Sequence, residues 1–181
     1  LHFDKNSGCK VLLISQLNGI NKMAVPAYIW LYNSTGTLIQ GSSNVLLREG
    51  AIEMQSFNHG VHIPYDNTFG KLTGTRVHDQ LSFTKELDKA TPYLNRAVCQ
   101  GETLQQAIIK WYRINDAGVE EEFMHVILKN VKVVAVTPVM HNFKNTGGQM
   151  NNPTESVSLA YESITWLYLD GNISYTDSWN Q

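Results

Sequence analysis

The chain has 181 residues, a formal net charge of -2 and a pI near 6.3, with 43% hydrophobic and 17% charged residues. That length is one domain's worth of chain and buries about two-thirds of its unfolded surface, so folding requires neither a metal nor a disulfide. The charge balance supplies no basic field for nucleic acid or anionic lipid, and no run approaches the ~18–20 apolar residues of a membrane span.

Residues 1–22 mix Asn, Ser, Gly and Lys without helical or strand periodicity. Their short apolar run, residues 11–14, lacks the h-region and cleavage site of a secretory leader. The expectation is a non-native or disordered extension over residues 1–22, a natural start at Met23, and a single domain over residues 23–181. Cys9 and Cys99 fit no C-x-x-C pattern, which argues against a disulfide framework or zinc ribbon. Cys99 reads as a small apolar helix residue rather than a reactive thiol.

From Met23 the period is two. Tyr28, Trp30 and Tyr32 form one face of a strand, and Ala27, Ile29 and Leu31 the other. With both faces apolar, the strand should be buried on two sides or lie at a subunit contact. Ser34-Thr35-Gly36 is a turn, residues 41–49 a polar extended loop, and residues 52–63 one long strand. Residues 64–74 (PYDNTFGKLTG) are dense in turn formers and read as a hairpin connection. Over residues 75–84, Val77, Leu81 and Phe83 share one face, with Arg76, His78, Gln80, Ser82 and Thr84 on the other.

One helix is expected, with Thr91 as N-cap, Pro92 in its first turn, Gly101 at its end, and a stripe of Leu94, Ala97 and Val98. Strands follow over residues 107–114, 119–128 and 131–139. Asn115-Asp116-Ala117-Gly118 turns between the first two. Residues 141–153 read as a long polar loop. Residues 157–168 alternate again, Asp170-Gly171 makes a hairpin turn, and residues 173–179 close the chain. The fold class is mainly β: a closed or nearly closed antiparallel barrel of about eight to ten strands in two packed sheets, flanked by one short α-helix.

Catalytic motifs are missing from the sequence: no G-x-S-x-G elbow, H-E-x-x-H, phosphate-cradling glycine loop or EF-hand loop. His59 and His62 are three apart on a predicted strand and face opposite ways, so no metal site is expected. Glu120, Glu121 and Glu122 read as a solvated face or as subunit salt bridges. Trp30, Tyr32, Trp111, Tyr112, Trp166 and Tyr168 leave open a small-ligand or carbohydrate-binding module. No catalytic residue and no cofactor is expected.

Four segments, in order and spacing, resemble the Hcp family of type VI secretion tube proteins: MAVPAYIWLY at Met23, KLTGTRVHDQLSFTKELDKATPYL at Lys71, KWYRINDAG at Lys110 and YESITWLYLDGNISYTDSW at Tyr161. The resemblance covers nearly all of residues 23–181. It implies a β-barrel flanked by a helix, hexameric rings with an open channel, and stacking of rings into a tube. It implies as partners the chain itself, the contractile sheath, spike and baseplate proteins, and small secreted effectors carried in the lumen. It also implies residence in the bacterial cytoplasm until the machine fires, then secretion or delivery into a target cell. Residues 41–50 correspond to an extended family loop that contacts the next ring, with Asn44, Arg48 and Glu49 expected at the stacking contact. The first 22 residues have no family counterpart, and no toxin domain is expected after the DSW segment. A role mainly as effector carrier is the alternative within the family.

Overall fold

The alternation over residues 27–32 becomes strand β1, Ala27–Tyr32. The computed structural model describes residues 25–140 and 152–179. The expected extension over residues 1–22, the start at Met23, Cys9 and residues 141–151 of the expected polar loop lie outside the described residues. After β1 come β2 (Leu38–Ile39), β3 (Ile52–Met54), β4 (Ser56–Asn58), β5 (Val61–His62), β6 (Val77–His78) and β7 (Leu81–Glu86). Helix α1 (Thr91–Gln100) precedes β8 (Thr103–Ile114), β9 (Glu120–Val139), β10 (Thr154–Ala160), β11 (Ser163–Tyr168) and β12 (Ile173–Ser178).

Ten strands form one antiparallel sheet in the order β2-β1-β8-β9-β10-β7-β4, with β3 also on β1, β11 on β9 and β12 on β11. The ladder is not closed. One bent segment nevertheless joins its two sides, because β3 pairs with β1 while β4 pairs with β7. The result is barrel-like, with Ile29, Leu31, Phe83, Leu104, Ile109, Leu128, Leu159 and Ile164 in its core. Helix α1 covers one side with Leu94 and Ala97 buried. It ends as expected at Gly101, whose φ of 63° is left-handed and suits glycine.

Several expectations are corrected. Residues 52–63 are not one strand: the chain bends at Gln55 and again at His59-Gly60, where pairing passes from β1 to β7 and then to the separate β5–β6 hairpin. The face assignment over residues 75–84 breaks for the same reason. Strands β6 and β7 belong to different sheets, so His78 is buried and Val77 exposed, while Leu81 and Phe83 face the core. Thr91 is not the N-cap. Ala90 holds that position, and the Thr91 hydroxyl accepts from the Asp88 N–H and donates to Glu155. The expected strands over residues 119–128 and 131–139 are one strand, β9 (Glu120–Val139), with Asn130 at φ 51° as it changes partner from β11 to β10. Residues 157–168 divide at Tyr161-Glu162 into β10 and β11. Cys99 lies on helix α1, as expected, and is exposed there.

Candidate functional site

Three exposed features stand out among the described residues, beginning with the loop over residues 41–50. It folds on itself through Gly41 N–H to Gly50 O at 2.8 Å, Gly50 N–H to Ser43 O at 2.9 Å, and Ser43 N–H to Ala51 O at 3.1 Å. Glycine is required at position 41, where a Cβ would lie 2.3 Å from the Ala51 carbonyl oxygen. Leu46 and Leu47 reach solvent at the tip, 78% and 86% exposed.

Of the three residues expected at the stacking contact, Asn44 and Glu49 are exposed on this loop. Arg48 points the other way and is 7% exposed. Its guanidinium lies 3.6 Å from the Tyr112 ring centre and 4.9 Å from that of Tyr28, and donates to Glu120 at 2.5 Å. The loop is therefore held from beneath by a cation over two ring faces, a favourable and partly desolvated arrangement. This also explains why both faces of β1 are covered: Tyr28 packs with Ala51 and Tyr112 under the loop while Ile29 and Leu31 face the main core.

The three consecutive glutamates take three different cations: Glu120 takes Arg48, Glu121 takes Arg113 and Glu122 takes Lys110. Glu122 also accepts from Tyr112 and His125 at 3.0 and 2.7 Å. Burial opposes its charge, yet the Lys110, His125 and Tyr112 hydrogen bonds hold its carboxyl below the usual range. Burial, then Glu122, pushes the Tyr112 phenol up.

The second feature is the β5–β6 hairpin, which pairs with no strand of the main sheet and exposes Tyr65, Phe69 and Leu72. At its base His78 is buried between Tyr161 and Asp177. His59 and His62 take different partners, although not by alternation along one strand, since the chain breaks at His59-Gly60: His59 meets the Tyr161 hydroxyl, and His62 lies 3.7 Å from Asp79. The third feature is edge strand β12, with Ile173 and Tyr175 exposed.

The aromatics that could have formed a ligand platform fall into separate groups, with Trp30 and Tyr112 both packed on Tyr28. Trp111 meets Phe57, Tyr112 meets Tyr28, Trp166 stacks on Tyr175, and Tyr168 meets Phe123. Sequence reasoning missed the buried Lys85, which pairs with Asp88 and Glu155 at 2.7 Å each. Its position in step with Leu81 and Phe83 was the available clue. It also missed the His59–Tyr161–His78–Asp177 chain, whose members lie about 100 residues apart in sequence.

Comparison with known proteins agrees with the fold. The model of the family described as "Type VI secretion system effector, Hcp" matches residues 28–168. A protein of Pseudomonas aeruginosa called "Major exported protein" is 34% identical over 166 residues, covering 87% of this chain and 96% of its own length. The Hcp1 structure from the E. coli EAEC 042 pathovar is 50% identical, with a TM-score of 0.78 over 86% of this chain and 99% of that one. The secreted protein Hcp3 of Pseudomonas aeruginosa is 30% identical, with a TM-score of 0.70 over 87% and 100%.

Proposed function

The chain belongs to the Hcp family of type VI secretion proteins, and on that premise we propose that it is a structural subunit of the secretion tube, acting by assembly rather than by turnover. Subunits form hexameric rings, the rings stack, and sheath contraction expels the tube with its spike; effectors can travel in the lumen. The protein waits in the cytoplasm until firing. The observation that carries this reading beyond the family is the pair of unlike apolar protrusions, the loop tip at Leu46-Leu47 and the hairpin at Tyr65, Phe69 and Leu72. A head-to-tail ring uses two different patches on each subunit, and stacking needs a further contact along the axis. Edge strands and exposed apolar loops left uncovered on a lone subunit would invite aggregation.

The stacking contact is assigned to Asn44 and Glu49 beside the Leu46-Leu47 tip, with Arg48 acting by fixing the loop from below. Native mass spectrometry and negative-stain imaging test the reading. Hexameric rings and stacked rings are expected; a chain that stays monomeric at high concentration sinks it. Co-purification of a small effector, lost when lumen residues are changed, would favour the carrier role over a bare conduit.

A further inference from the structure

One end of the β8–β9 ladder carries a recess that the fold's own packing does not fill. Thr103 pairs with Lys132 at that end, and Ile114 pairs with Glu120 at the other. Strand β9 leaves β11 and takes up β10 here, so the ladder parts between the Ser163–Lys129 pair and the Ala160–Lys132 pair. The opening is an exposed recess of about 390 Å³ lined by Thr103, Asn130, Lys132, Ala160, Tyr161 and Glu162. Its walls are tied in place. The Asn130 amide donates to the Glu162 carboxylate, the Glu162 carbonyl accepts from the Trp179 N–H at 3.1 Å, and the Tyr161 hydroxyl meets His59 and His78. Lys132 is exposed, and its amine makes no hydrogen bond or ion pair among the described residues.

The loop over residues 41–50 leans toward the opposite end of the same ladder, where Arg48 reaches Tyr112 and Glu120. The 12 residues of β8 hold the two ends roughly 35–40 Å apart. The loop's tip is the turn from Val45 to Arg48, closed by the Arg48 N–H to Val45 O bond of 2.9 Å. Leu47 takes φ 67° in this turn, a left-handed conformation that is strained for leucine and usually given to glycine or asparagine. The chain thus holds two exposed leucines where a small polar corner would cost less, the kind of outlier that marks a working surface. Glu49 beside them is exposed, and its carboxylate makes no hydrogen bond or ion pair among the described residues. Arg48, the one cation of the loop, is turned inward.

We propose that the recess receives the Leu46-Leu47 tip of a second copy in the next ring, with Lys132 facing that copy's Glu49. The inference rests on the stacked-ring reading and supplies its receiving site. Tip and recess lie toward opposite ends of one subunit, so copies aligned head to tail bring them together, and the contact repeats without closing. Charge complementarity selects this occupant. An anionic lipid surface would meet Glu49 and no outward cation on the loop, whereas Lys132 meets Glu49 with the opposite sign. Ala160, Tyr161 and the aliphatic stem of Lys132 offer the leucines apolar surface. Two leucine side chains bury far less than the ~1,000 Å² that a stand-alone complex needs. A contact this small holds when every subunit of a ring makes it at once, and stacked rings provide that multivalent setting.

Charge exchange in the full chain tests it, with native mass spectrometry counting rings and sedimentation velocity counting stacks at fixed protein concentration. Glu49→Lys alone and Lys132→Glu alone should each keep rings and native thermal stability. Each should lose stacking by about one to two orders of magnitude, from about twofold at each exposed pair compounded over a ring's contacts. Mixing the two variants should restore stacking, because every tip then meets a recess of opposite sign in alternating order. General destabilisation gives no such rescue. Leu47→Gly relieves the turn and removes one side chain, so it should hold or raise Tm while stacks are lost. A native chain that forms no rings or no stacks overturns the stacked-ring reading and this inference with it. A native chain that stacks, with charge variants that stack equally well or fail to rescue one another, overturns the recess as receiver and leaves the tube reading standing. Leucine-dependent binding to phosphatidylglycerol vesicles, with stacking unchanged by Leu47→Gly, overturns it as well.

Discussion

Replacing Arg48 by Ala tests whether the loop over residues 41–50 is held from beneath. The substitution removes a guanidinium seated on the Tyr112 and Tyr28 rings, together with the buried stem that carries it. The ring contacts contribute about 1–2 kcal/mol in a desolvated setting, and the stem about 1 kcal/mol of apolar burial. The Glu120 carboxylate is 40% exposed and rehydrates once released. That pair therefore adds only about 0.2–1 kcal/mol. Arg48→Ala should cost about 2–4 kcal/mol, a fall in Tm of about 4–16 °C for a chain of this size. Urea unfolding at fixed protein concentration measures the loss, since assembly shifts apparent stability. Hydrogen exchange should show faster exchange at Arg48, Gly50 and Ala51. Arg48→Lys keeps the charge without the planar stacking surface and should recover less than half of the loss. A variant within 0.5 kcal/mol of the native chain (roughly the noise of a neutral surface change), with unaltered loop exchange, would refute the anchoring role. Glu49→Ala, on the exposed side, should leave stability alone and weaken stacking. Rings and stacks lost in equal measure would show that the loop is not dedicated to stacking.

Lys85 is 0% exposed and pairs with Asp88 and Glu155, and one Glu155 oxygen has no hydrogen-bond partner among the described residues. Lys85→Met strands these carboxylates and should cost about 3–5 kcal/mol in chemical denaturation, with partial recovery when Glu155→Leu is added; a loss below about 1 kcal/mol would contradict the burial argument. Asp177 carries a depressed carboxyl in the folded chain, so its contribution is complete above about pH 4, the unfolded range, and is lost as the pH falls toward its folded value. Asp177→Asn should lower stability at neutral pH and flatten the acid limb of the stability curve below pH 4. An acid limb of unchanged slope would assign that limb to other groups.

Much of the architecture was legible in local pattern. Alternation marks β1 and β7, Pro92 and Gly101 bracket α1, and Asp170-Gly171 sits at the turn between β11 and β12, because each depends on residues within a few positions of one another. The ordered segments beginning at Met23, Lys71, Lys110 and Tyr161 pointed to the family by their order and spacing along the chain.

What the tertiary structure decided is where polar side chains turn. Arg48 reads as a rim residue in LLREG, and it goes inward because Glu120, 72 residues away, and the Tyr28 and Tyr112 rings await it there. His78 reads as solvent-facing by parity, and it is buried because the chain changes sheets at Asp79-Gln80 and so resets the alternation. Lys85 kept its core-facing parity, and only the arrival of Glu155 and Asp88 makes the burial of its charge tolerable. The sequence by itself determined the β periodicity, the helix and the family resemblance, since backbone propensity and side-chain alternation act at short range. The anchoring of the loop and the burial of His78 between Tyr161 and Asp177 waited on the tertiary structure, since each depends on charges and rings brought together from distant strands.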